Sequence, residues 1–132
     1  MNLPGHSRVS SGYRPLAGGG KPDLLYEWAE TLVAKGLRDS DEASLMEAIP
    51  LLKEAIRIEH ASLQKFLRMP RGLGKAAIEA ASIKRQIEGN EALVQTLLGR
   101  VYYELDQHEK ACGAYGRAVA LEMDTGAEHA FS

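Results

Sequence analysis

His108 and Cys112 stand four residues apart, a spacing that puts both side chains on one side of a helix and would suit two ligands of a metal ion. Two ligands do not make a zinc site, and no CxxC or HxxxH accompanies them, so Cys112 reads as a packed cysteine and no metal is expected. Glu27 and Glu30 also share a helical face. Paired carboxylates can do acid–base work only in a dry pocket beside a reacting group, and this spacing is common on solvated helices. His6, His60 and His129 have no partner that the sequence shows. Gly72-Leu73-Gly74-Lys75 is not a phosphate loop, because Met69 stands where the Walker pattern needs its first glycine. No catalytic constellation emerges, and the expectation is a non-enzymatic protein without cofactor.

Charge gives a further candidate. Lys65, Arg68, Arg71 and Lys75 lie in an acid-free stretch between His60 and Ile78, interleaved with Phe66, Leu67, Met69 and Leu73. Such a basic loop suits RNA phosphates or an anionic membrane surface, or else serves only solubility. The chain of 132 residues carries a formal charge of −2, unevenly spread. Residues 1–22 contain Arg8, Arg14 and Lys21 and no acid, so the remaining 13 basic and 18 acidic residues leave the body at −5. Nucleic acid is therefore the less favoured partner. The single cysteine excludes an internal disulfide framework and fits a reducing compartment. No apolar run approaches the roughly 18–20 residues that span a bilayer, and a soluble, cytoplasmic protein is expected.

These residues need elements to hold them, and the apolar spacing is helical throughout. Residues 1–22, rich in Pro, Gly and Ser, read as a disordered tail, with organelle targeting as the alternative. Asp23 can cap a first helix whose stripe is Leu24, Leu25, Trp28, Leu32 and Val33, with Trp28 as a core anchor and Gly36 as a stop. Ser40 or Asp41 can cap a long second helix, which Pro50 should kink or start late. Residues 69–74 interrupt it. From Lys75 a weak face of Ile78, Ala81, Ile83 and Ile87 resumes, and Asn90 caps the next element. Residues 90–125 then form the clearest unit. Leu93, Leu97, Leu98, Val101 and Leu105 line one helix, and Ala111, Ala114, Tyr115, Ala118, Val119 and Leu121 line another, with Asp106-Gln107-His108 between them. Gly99, Ala111, Gly113, Ala114 and Ala118 are small enough to let the two backbones approach closely.

Leu98-Gly99, Tyr102, Ala111, Tyr115 and Ala118 resemble the tetratricopeptide repeat, a helix-turn-helix unit of about 34 residues. Gln95 stands where the family often has Trp, and Met123 replaces its frequent closing Pro. Ala48, Leu52 and Ala55 repeat part of the pattern in a first unit near residues 23–60, and the middle reads as a degenerate repeat in which Ala77 and Ala81 fall in register. The resemblance implies an all-α fold of antiparallel helix hairpins stacked as a short α-solenoid over residues 23–124, followed by a frayed end at 125–132. It also implies a protein-interaction module, an adaptor, scaffold or co-chaperone-like protein that captures a peptide or helix in a concave groove. The groove residues would be Tyr26, Glu27 and Glu30 in the first unit and Thr96, Arg100, Tyr103 and Glu104 in the terminal one. Only Arg100 matches the family's clamp for a terminal carboxylate, and Glu27 and Glu30 would repel that group. With no capping helix after Asp124, the last hairpin would be covered by a second copy or a larger partner. The alternatives are the basic-loop adaptor and an organelle import or assembly factor.

Overall fold

The computed structural model describes the backbone of residues 21–68 and 75–130, and the side chains of residues 21–68 and 77–123. These residues form four helices and no strand: α1 (Lys21–Asp39), α2 (Glu42–Arg68), α3 (Lys75–Glu104) and α4 (His108–Ala130). Helices α1 and α2 form one hairpin and α3 and α4 another. The hairpins join through α2 and α3, and α1 touches α3 lightly. Among the described residues α4 packs on α3 alone. No described helix is long and apolar enough to cross a membrane.

Both hairpins turn through the same backbone device. At the end of α1, Ser40 adopts a positive φ of 52° and the Asp41 N–H donates to the Gly36 carbonyl at 3.0 Å. At the end of α3, Asp106 adopts a φ of 62° and the Gln107 N–H donates to the Tyr102 carbonyl at 2.8 Å. This six-to-one bond around a left-handed residue satisfies carbonyls that a helix end leaves orphaned. The next residue at once starts the following helix. Asp41 is the cap of α2: its Oδ1 accepts from the Ala43 N–H at 3.2 Å and its Oδ2 from the Ser44 hydroxyl at 2.8 Å. The Ser44 bond, ahead of smaller contributions, holds the Asp41 carboxyl below its ordinary pKa.

Small residues decide how α1 meets α2. Leu25, Ala29, Val33 and Gly36 form the buried line of α1. A Cβ on Gly36 would lie 2.6 Å from the Leu45 side chain, so Gly36 is where Leu45 seats, and the helix continues past it to Asp39. This line runs one residue round from the expected stripe. Trp28 is accordingly 53% exposed, and it is not a core anchor. An indole on the contact line would hold the helices apart where Ala29 lets them close. Gly99 plays the matching part in the second hairpin, where its Cβ would lie 2.7 Å from the Tyr115 ring.

Two other expectations fail for stated reasons. Pro50 does not delay the start of α2, because the Asp41 cap starts the helix at Glu42 and Pro50 sits on the exposed side, where water can take up the carbonyl it leaves unpaired. Asn90 does not cap a helix. It lies inside α3, is 2% exposed, and its Nδ2 donates to Glu59 Oε2 at 3.1 Å. Residues 75–89 are thus the first half of one 30-residue helix that runs on through residue 104. The core that results gathers Tyr26, Leu45, Leu52, Val94, Val101 and Ala111 with their neighbours. Of the expected tail, residues 1–20 lie outside the described residues, and α4 continues as helix through residues 125–130.

Candidate functional site

Helices α2 and α4 both pack on α3 but not on each other. A trough is left between them, floored by α3. Gln95, Leu98 and Tyr102 recur along one face of α3 and form that floor, Lys53 and Ile56 form the α2 wall, and Lys110, Gly113, Ala114 and Arg117 form the α4 wall. The cleft is open to solvent and holds about 540 Å³. Its floor is apolar at Leu98 and Tyr102, both buried.

Its cations are placed with order. The Lys53 Nζ lies 5.9 Å from the centroid of the Tyr102 ring and the Lys110 Nζ lies 5.8 Å from it, so one ring attracts an ammonium from each wall. Neither lysine has an ion-pair partner among the described residues. Arg117 is anchored differently: its Nε donates to Glu91 Oε2 at 3.2 Å. Glu91 is 5% exposed, and its other oxygen lies 2.9 Å from His60 Nε2. A buried carboxylate is tolerable only when its oxygens are paired. Glu91 meets that need by tying α2, through His60, and α4, through Arg117, to α3. The Asn90–Glu59 bond adds a second buried polar tie between α2 and α3.

The expected groove residues lie elsewhere, and none of them lines this cleft. Tyr26 is 4% exposed and belongs to the core. Burial, then the charge of Glu30, pushes its phenol up to about 12. Glu30 is half-buried, with Oε1 lacking a hydrogen-bond partner, and burial followed by the charge of Glu27 raises its pKa. Thr96 donates its hydroxyl to the Ala92 carbonyl at 2.9 Å. The Arg100 Nε pairs with Glu104 Oε2 at 3.2 Å, one turn along the same helix. Tyr103 is exposed and stacks on the His108 ring with centroids 5.3 Å apart. Thr96, Arg100 and Tyr103 are well round α3 from Gln95, Leu98 and Tyr102, since each residue advances about 100°.

Of the basic patch, Lys65 and Arg68 are exposed near the end of α2, while Arg71 and the Lys75 side chain fall outside the described residues. Cys112 is solvent-exposed and not packed, because the α3-facing line of α4 runs through Ala111, Ala114 and Ala118 instead. Among the described residues no group of three or more His, Cys, Asp or Glu side chains is placed to hold a metal ion.

Lys53, Gln95, Lys110 and Arg117 escaped the sequence reading because they come from three helices and share no local pattern. One signal was there: Lys110, Ala114 and Arg117 recur at helical spacing with Gly113 beside them, a stripe of cations with small residues between. Comparison with protein-family models, with curated proteins and with solved structures finds no match to this chain, so the tetratricopeptide resemblance rests on its own residues.

Proposed function

We propose that the chain is a tetratricopeptide-like protein-interaction module that captures a peptide or helix, and that the capturing surface is the cleft over Tyr102. The observation that carries this reading is the trough between α2 and α4, with its buried apolar floor and open top. Its volume falls within the range of a few hundred Å³ over which proteins enclose ligand groups. Two hairpins built on one turn device, joined through α2 and α3, support the reading as stacked repeats. The proposed mechanism is shape and charge complementarity without bond chemistry. Glu91, a buried carboxylate one turn from Gln95 of the cleft floor, is already engaged by His60 and Arg117.

The test sets two faces against each other. Nothing lies within 4 Å of a Cβ built on Gly113, so Gly113→Trp can fill the cleft without disturbing the core. In an affinity pull-down read by mass spectrometry, Gly113→Trp should lose the partners that wild type retains. Arg100→Glu with Tyr103→Ala should keep them. Full retention by a folded Gly113→Trp variant would sink the assignment of the cleft.

A further inference from the structure

We infer that the ligand of this cleft is an acidic peptide segment, one carboxylate of which seats between Lys53 and Lys110 above the Tyr102 ring. The inference rests on the interaction-module reading and adds the chemistry of the partner. Several exposed cations elsewhere find acids of their own. Lys35 meets Asp41, Arg57 meets Glu54, Lys84 meets Glu88 and Arg100 meets Glu104. Lys53 and Lys110, like Lys65, Arg68 and Arg85, meet no carboxylate among the described residues, but these two line one cleft and both turn onto one ring. Two ammonium groups beside one ring in one cleft make its potential positive, and a bound anion offsets that charge. The ring below cannot do so alone, because its attraction for a cation is weak at an exposed site.

Arg117 adds to the same field. With its Nε committed to Glu91, its terminal nitrogens have no partner among the described residues and stand in the α4 wall. Ile56, Leu98 and Ala114 give the cleft apolar surface between the cations, which suits an acidic residue followed by an apolar one. Residues 1–22 of this chain carry three cations and no acid, so they do not complement the site. A polyanion is the poorer match, since the body of the chain carries 13 basic and 18 acidic residues.

The experiment is a random-peptide display selection on the full chain, with Lys53→Glu/Lys110→Glu and Gly113→Trp screened in parallel. Circular dichroism confirms that both variants are folded. Binders should be enriched in Asp and Glu. A labelled synthetic binder should weaken roughly tenfold or more on Lys53→Glu/Lys110→Glu, and as much when its acidic residues become Asn or Gln. Binders without acidic residues that Gly113→Trp still blocks would overturn the inference and leave the interaction-module reading standing. Binders indifferent to Gly113→Trp would overturn both. A labelled RNA oligonucleotide that binds more tightly than any peptide and is released by the same charge reversal would also overturn it. So would self-association that Lys53→Glu/Lys110→Glu abolishes.

Discussion

Gly36→Ala adds one methyl group where, among the described glycines, there is least room for it. The new Cβ would sit 2.6 Å from Leu45 Cδ2 and Cγ and 3.0 Å from the Asp41 carbonyl oxygen. Carbon atoms in contact settle at about 3.5–4.0 Å, so something must move by about an ångström. Leu45 is itself buried, and the Asp41 carbonyl accepts the Leu45 N–H at 3.3 Å in the first turn of α2, so neither is free to yield. Alanine favours a helix over glycine by about 1 kcal/mol, which works in the other direction. Overpacking a filled site costs about 1–3 kcal/mol, and here the clash involves a core side chain and backbone together, so the upper half of that range applies. The balance is a loss of about 1–2 kcal/mol, or roughly 5 °C in Tm for a domain of this size. Urea denaturation followed by helical circular dichroism measures it. Gly89→Ala is the internal control: its Cβ meets nothing within 4 Å, and the variant should gain about 0.5–1 kcal/mol. If Gly36→Ala proves as stable as Gly89→Ala, the close approach of α1 to α2 is not as described.

Glu91→Ala should cost about 2 kcal/mol, because it removes two charged hydrogen bonds and leaves their partners, which are partly solvated, without a buried acceptor. Adding Arg117→Ala to that variant should cost little more, and a fully additive double mutant in urea titration would show that the two do not act together. Stability should also fall in alkali. The Tyr26 phenol is raised from 10.0 to about 12 in the fold, so the neutral form is favoured there. Its contribution is complete below the unfolded value and disappears as pH rises through the folded one. Urea midpoints measured across that window should decline, and Tyr26→Phe should flatten the decline.

The helical content was legible from apolar spacing, the first turn from the cap candidates Ser40 and Asp41, and the second from the polar break at residues 106–108. The misread details share one cause: each depended on a neighbour from another helix. Trp28 has a core residue's chemistry, but Ala29 beside it, together with Gly36, defines the contact line. Asn90 has a cap's chemistry, but Glu59 from α2 claims its amide inside α3. Tyr102 was legible as a repeat position. That it would draw Lys53 from one helix and Lys110 from another was not, because those residues are brought together only by the stacking of the hairpins.

The polar tie at Glu91 has a mechanical meaning for the cleft. The helices of the two walls do not pack on each other, yet one carboxylate of the floor helix holds His60 of α2 and Arg117 of α4. A single side chain therefore ties both wall helices to the floor helix, beside the packing each makes on it. Under the proposed function, a trough tied this way would sort its guests by calibre before it weighed their charge.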